Sequence, residues 1–290
     1  MTLPSNPASV EQAVAERYSA GANEVQPDLC CAVDYDPRYL RPIPQEVLDR
    51  DYGCGDPSNY LRPGETVLDL GCGGGKICFI ASQVVGPHGA VIGVDINAEM
   101  LALARRSRPR VAEALGYANV IFRKGRIQDL SLDVEALETW LGRHQVGDLA
   151  GVTALEAETS RLRASSPLVS DASVDAVVSN CVLNLVATEH KTALFSEIFR
   201  VLRTGGRAVI SDIVSDVEVP DVLRQDPELW SGCISGAFQE QAFLGAFEAA
   251  GLGRVTLDKR DEAPWRVVEG IEFRSVTVVA HKGAPAKTCC

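Results

Sequence analysis

The chain has 290 residues, 46% of them apolar, and a net charge of −11, enough for one enlarged domain or a domain with an appendage. No apolar run reaches the roughly 18 residues a membrane helix needs, and an acidic surface without basic stripes interleaved with aromatics argues against membrane and nucleic-acid partners. The opening residues, MTLPSNPASVEQAVAERY, lack the basic start and apolar stretch of a secretory signal, so a cytoplasmic setting is expected.

Residues 1–60 are dense in turns, with helices expected near 10–19 and 45–51. The vicinal pair Cys30-Cys31 lies between them, and RDYGCGDP at 50–57 sets Cys54 between two glycines, a flexible setting that suits a lid. From residue 65 strands and helices alternate, the pattern of an α/β fold with a doubly wound, mostly parallel sheet of seven strands. Strand 67–70 leads to helix 76–85, strand 91–95 to helix 98–106, and strand 120–123 follows. After strand 175–179 comes helix 192–202, capped by Gly205-Gly206, and then strand 207–212. The last third supplies helix 241–250 and strands 253–257 and 275–280, suited to a closing antiparallel hairpin. Between 129 and 175 the short connection expected of such a fold is replaced by about 40 residues with helical periodicity at 134–141 and 149–162. These two amphipathic helices read either as a cap or subunit contact, or as a surface excursion. The organisation is thus an amino-terminal cysteine-containing extension over 1–60, a core over 61–214 carrying the insertion 131–170, a substrate-binding and sheet-completing region over 215–283, and a Cys-Cys tail over 284–290.

The core opens with the apolar strand VLDL, a loop Gly71-Cys72-Gly73-Gly74-Gly75, and a second strand, VIGV, ending on Asp95. Glycines let a chain turn out of a strand and approach a ligand, and an acid about 20 residues on can hold ribose hydroxyls. The sixth loop position is Lys76 where a dinucleotide fingerprint needs glycine, and Ile77 follows Lys76 where a phosphate loop needs Ser or Thr. What remains, Asp69-x-Gly71-x-Gly73-x-Gly75, resembles the first motif of class I S-adenosylmethionine-dependent methyltransferases. That resemblance implies a Rossmann-like methyltransferase fold and the cofactor S-adenosylmethionine, held by Asp69, Gly71, Gly73, Gly75, Asp95, Ile96, Met100, Ile127, Gln128 and Asn180.

Nine cysteines bear on the acceptor. In a reducing cytosol they are expected mostly as thiols rather than structural disulfides. They form no C-x-x-C pair, and none of the four histidines sits near them in ligand spacing, which disfavours zinc. Cys72 and Cys78 read as small packing residues. Cys181, in SNCVLNLV after a strand, stands where substrate-facing residues of an open α/β sheet belong, and Cys233 lies in WSGCISGAF beyond the next strand. The tail pair Cys289-Cys290 either has no fixed place or passes a soft ion inward.

Together the strings RDYGCG (50–55), VLDLGCGGGK (67–76), SNCVLNLV (179–186), RVLRTGGRAVISDIV (200–214) and SGCISGAF (231–238) resemble the arsenite S-adenosylmethionine methyltransferases. The resemblance runs from about residue 50 towards the end, apart from the insertion. It implies that Cys181 and Cys233, joined by Cys54, bind trivalent arsenic, and that Cys54 with Cys31 (or Cys30) serves loading and disulfide chemistry. It also implies a thiol reductant, glutathione or thioredoxin. Arg126, where many methyltransferases carry an acid near the adenine, and Lys76-Ile77-Cys78, where the common arsenite enzymes read Arg-Asp-Cys, mark a divergent branch.

The chemistry is coherent on its own terms. A soft trivalent arsenical favours thiolates. Held as a pyramid with its lone pair aimed at a sulfonium methyl, it needs alignment rather than a strong base. Two other readings fit the same residues: a methyltransferase for an organic small molecule or another soft element, with incidental cysteines, or a metalloid-binding protein without turnover.

Overall fold

The computed structural model describes residues 7–26 and 33–283. Three helices, α1 (Pro7–Asn23), α2 (Pro37–Leu40) and α3 (Gln45–Leu48), precede the sheet. The first half of the sheet alternates β1 (Thr66–Leu70), α4 (Lys76–Val85), β2 (Ala90–Asp95), α5 (Ala98–Leu115) and β3 (Val120–Lys124). The insertion forms α6 (Val134–Leu141) and α7 (Leu149–Ser165). Then follow β4 (Val174–Asn180), α8 (Lys191–Val201), β5 (Leu202–Ser215), α9 (Asp221–Arg224), α10 (Pro227–Ser231), β6 (Phe238–Gln239), α11 (Glu240–Ala249), β7 (Gly253–Arg260), β8 (Arg266–Val268) and β9 (Ile271–His281).

The strands lie in the order β3-β2-β1-β4-β5-β9-β7, with β6 paired to β5 and β8 to β9. The ladder is parallel from β3 to β5, while β9 runs antiparallel to both β5 and β7. Successive side chains of a strand face opposite sides. Accordingly Val67 of β1 packs with Phe79, Ile80, Leu101 and Val91 on one face, and Leu68 and Leu70 pack with Val177, Ile198 and Phe247 on the other. The chain winds one way from β1 to β3 and the other way from β4, so a crevice opens at the carboxyl ends of β1 and β4.

Local patterning mispredicted three boundaries. Gly205-Gly206 does not cap the preceding helix: α8 ends at Val201, and Leu202 is already extended and paired with Val174. The glycines fall inside β5, where Gly205 takes φ +86 at a register shift in the pairing with β4; strand pairing overrode the local stop signal. Helix α5 continues through Pro109 to Leu115 and ends at Gly116, φ 78, whose N–H reaches the Ala112 carbonyl. Helix α3 is only one turn long.

Both insertion helices are present. They are tied to the core by ion pairs Arg105–Glu135 (2.9 Å), Lys124–Glu138 (2.6 Å) and Arg163–Asp129 (2.7 Å), all partly or largely exposed. Such pairs contribute little individually. Leu162 is the buried anchor of α7, whereas Leu149 is 80% exposed.

Candidate active site at the carboxyl edge of the sheet

A cavity of about 510 Å³ occupies the crevice, within the size range of small-molecule sites. Its floor is the glycine loop. Gly71 and Gly73 take φ of +68 and +50, and a Cβ on Gly71 would lie 2.3 Å from Val182, so that position requires glycine both for its backbone and for its clearance. The Gly73 N–H donates to one Asp95 oxygen and the Asn97 N–H to the other, each at 2.8 Å. Burial raises the Asp95 carboxyl above its ordinary range, opposed by these backbone donors.

Asp69, Gly71, Gly73, Asp95, Ile96, Met100, Ile127, Gln128 and Asn180 all line the cavity. Gly75 lies behind it: at φ 90 it caps α4, and a Cβ there would meet Phe122 at 2.8 Å. Asp69 is 2% exposed, accepts a hydrogen bond from the Cys78 thiol at 3.2 Å, and is pushed up to about 7 by burial, with the Asp95 and Asp51 charges adding to the shift. Burial likewise pushes the Cys72 thiol up to about 11 and raises that of Cys78, which makes both poor nucleophiles.

Lys76, which replaces the sixth-position glycine, reaches away from any phosphate role. Its Nζ pairs with Asp51 at 2.7 Å and sits 3.6 Å from the centre of the Tyr35 ring, joining the 50–55 segment to the glycine loop. Arg126 faces Glu11 of α1 at 3.6 Å, so an acid from the amino-terminal helix stands beside it.

Asn180 does more than line the cavity. Its Oδ1 accepts from the Cys54 and Gly55 N–H groups at 2.9 and 3.0 Å, and its Nδ2 donates to the Gly55 carbonyl at 2.7 Å. A Cβ on Gly53 would lie 2.1 Å from Nδ2, and one on Gly55 2.6 Å from Ser211, so Gly-Cys-Gly is what allows the loop to sit on the sheet end. This seat brings Cys54 to Cys181 across 127 residues of sequence, and the two are joined by a disulfide with Cα atoms 5.8 Å apart. Among the described cysteines this pair is the exception to the expectation that most are thiols, and the disulfide partner of Cys54 is Cys181 rather than the amino-terminal cysteine expected for its disulfide chemistry. Cys233 keeps its thiol, 3.6 Å from the Cys181 carbonyl oxygen, and all three cysteines belong to one apolar cluster with Ile213, Ile234 and Phe273.

Cys181 and Cys233 both adopt left-handed backbone, φ 58 and φ 63. For a residue with a Cβ that costs on the order of 1 kcal/mol or more, and such strain concentrates at functional sites. Among the described residues no three His, Cys, Asp or Glu side chains stand ready to hold a metal ion, so a three-thiolate set exists only once the disulfide opens. Cys31, with Cys30, Cys289 and Cys290, lies outside the described residues.

Three groups escaped the sequence reading. Asp212, fully buried within β5, accepts from the Leu183 N–H and Asn184 Nδ2 at 2.9 Å each and is pushed up to about 6 by burial. Lys191, 9% exposed, donates to the Gly236 carbonyl and is lowered to about 8 by burial. An acid inside an apolar run, as in VISDIV, was the available signal for Asp212. Tyr18 of α1 also lines the cavity, and nothing in its sequence neighbourhood marked it.

A family model described as a methyltransferase domain matches residues 61–141 and 135–251. Arsenite methyltransferases of Aquipseudomonas alcaligenes and Halobacterium salinarum are 35% and 36% identical to this chain, over 74% of it in both cases and over 53% and 44% of their own lengths. The chain thus spans about half the length of these curated relatives. Among solved structures, an arsenic (III) S-adenosylmethionine methyltransferase from Chlamydomonas reinhardtii superposes with a TM-score of 0.66 at 26% identity, covering 90% of this chain and 75% of that one. A Haemonchus contortus phosphoethanolamine N-methyltransferase bound to S-adenosylhomocysteine shares the fold at 13% identity, with a TM-score of 0.52 and coverage of 86% and 53%. The family model spans the glycine loop and β1 to β6, more than half of the chain, and the chain belongs to the methyltransferase domain family.

Proposed function

We propose that this protein methylates trivalent arsenic, arsenite or methylarsenite, held by thiolates of Cys181 and Cys233 with Cys54. The observation that carries the reading is the convergence of these three cysteines, remote in sequence, beside the cavity that Asp95 and the glycine loop shape. S-adenosylmethionine would supply an electrophilic methyl on a sulfonium. The residues present fit it: Asp95 offers carboxylate oxygens to ribose hydroxyls, Ile96 and Ile127 offer apolar surface, and space is open beside Gly73.

The acceptor side works by capture and aim. Reduction of the Cys54–Cys181 disulfide by an external thiol, glutathione or a thioredoxin-class dithiol, takes two electrons and two protons and frees both sulfurs. Arsenic exchanges its oxygen ligands for thiolates and keeps its lone pair. With the donor bound, that pair would take the methyl in a new arsenic–carbon bond, the sulfonium sulfur keeping the electrons of the bond it loses, and the thiolates would hold the lone pair in line. Arsenic is then formally pentavalent, and two thiolates return it to the trivalent state by donating two electrons and closing a disulfide. The rate depends on alignment in a closed site, and no residue has to remove a proton.

The test is to incubate the purified protein with S-adenosylmethionine, glutathione and arsenite and to separate arsenic species by mass. Methylated arsenic is expected, with Cys233→Ser lowering its rate by about a hundredfold or more while S-adenosylhomocysteine still binds, since a lost soft ligand removes capture and not the donor site. An arsenite-dependent product missing from the wild type overturns the reading. Arsenite methylation unaffected in Cys233→Ser would remove Cys233 from the arsenic ligands.

A further inference from the structure

A pair of opposite charges lines the donor cavity beside the glycine loop. Lys76 is the first residue of α4, Asp51 belongs to the segment that carries Cys54, and both face the cavity. Lys76 Nζ lies 2.7 Å from Asp51 Oδ2, with the two side chains 11% and 17% exposed. The ammonium also lies 3.6 Å from the centre of the Tyr35 ring, and that buried ring is fixed by its hydroxyl, which donates to the Gly55 carbonyl at 3.0 Å. The lysine is thus held in place by the protein alone.

The strand order says which end of a donor meets this pair. Asp95 closes β2 and Cys181 follows β4, with β1 between them. A ribose at Asp95 and a sulfonium turned towards Cys181 place the amino-acid end over the loop that follows β1, where Lys76 and Asp51 stand. That end is a zwitterion, with a carboxylate and an ammonium on one carbon. We propose that Lys76 and Asp51 bind it as a charge-matched pair, Lys76 taking the carboxylate and Asp51 the ammonium. The inference rests on the reading of this cavity as the donor site. The four charges sum to zero, so each ion taken out of water keeps a partner. An ammonium has three protons to donate and a carboxylate accepts several, so the Lys76–Asp51 contact can persist in the loaded site.

Among the described residues, Arg50 and Arg126 are the other cations lining the cavity. Arg126 comes after β3, two strands away from β1, and faces Glu11 at 3.6 Å. Arg50 turns its terminal nitrogens to the Asn23 carbonyl at 3.2 Å and to Glu46 at 3.5 Å. Lys76 is the cation placed for the carboxylate.

The test is calorimetric binding of three ligands to the full chain: S-adenosylhomocysteine, its decarboxylated analogue, which keeps the ammonium, and methylthioadenosine, which lacks the amino-acid end. Lys76→Met should weaken S-adenosylhomocysteine about tenfold or more, the loss of one charge-assisted contact, and leave the other two within about twofold of wild type. Lys76→Arg keeps the cation and should restore most of the affinity. Asp51→Asn should weaken the decarboxylated analogue about fivefold or more and spare methylthioadenosine. A general loosening of the cavity would weaken all three ligands alike. Equal weakening of all three in Lys76→Met, or weakening of none, overturns the proposal. So does a loss confined to S-adenosylhomocysteine in Arg50→Met while Lys76→Met binds it at the wild-type level, which gives the carboxylate to Arg50. In each of these cases binding to the wild type leaves the donor site standing, whereas a wild type that binds none of the three overturns the donor-site reading and the proposal together.

Discussion

Asp69 sits one residue from the end of β1, directly beneath the glycine loop, and its environment sets a pH dependence of stability. Its folded-state value of about 7 lies above that of an unfolded aspartate, near 4, because burial disfavours the charge. The folded protein therefore keeps this proton over a range in which the unfolded chain has released it. Stability from this group is fully present below about pH 4 and is lost as the pH rises towards about 7. Asp69→Asn carries no such charge, so the cofactor-free variant should gain on the wild type by roughly a few kcal/mol between pH 4 and 7. Urea midpoints measured across that range check it, and a constant gap between the two proteins would refute it. Asp212 titrates in both proteins and cancels in the difference. The carboxylate at Asp95 was legible from its spacing after the loop, whereas the partners of Asp69 and the place of Tyr18 in the cavity wall were not, because sequence carries no record of which side chains from distant segments become neighbours.

At the scale of elements, the end of β4 and the 50–55 loop form one unit in which the Asn180 amide stands beside the Cys54–Cys181 disulfide and the Ser275 hydroxyl, which donates to the Cys54 carbonyl at 2.7 Å. Asn180 accepts two backbone N–H groups and donates to a carbonyl that the Tyr35 hydroxyl also serves, so Asn180→Ala takes the partner from the Cys54 and Gly55 N–H groups. A cost of about 2 kcal/mol or more is expected from denaturant unfolding. The Cys54–Cys181 disulfide should also become easier to reduce, seen as a higher thiol count in a mild glutathione buffer. An unchanged midpoint and thiol count would show that the loop is seated without the Asn180 amide. The β-α alternation of the core was readable because each strand and helix carries its own periodicity. The Gly205-Gly206 pair misled because the same glycines serve a helix stop or a strand irregularity, and the pairing of Leu202 with Val174 decides between them. The one-turn helices α9 and α10 carry too few residues to show a period, yet they deliver Cys233 to the site.

For the whole molecule, the sheet supplies a rigid floor, α1 a roof, and the insertion a flank away from the thiol cluster. Residues 143–148, between α6 and α7, are exposed and outside any helix or strand. Limited proteolysis should cut there first, and the nicked protein should still bind S-adenosylhomocysteine within about threefold of the intact chain, since such connections open at little cost to the rest of a fold. A loss of binding on nicking would instead make the insertion part of the donor site.

What the amino-acid order determined by itself was the donor half: an apolar strand, a glycine loop and an acid at fixed spacing lie close together in the chain, and local backbone chemistry requires those residue types. The choice of cysteines as acceptor candidates also came from sequence, through their neighbouring residues. Their meeting at one point was decided only by the tertiary structure. Cys54 and Cys181 are 127 residues apart and come together because the winding reverses between β1 and β4 and Asn180 anchors the loop there. The placement of α1 was decided in the same way, since a helix's own periodicity says which face is apolar but not which cavity it will cover.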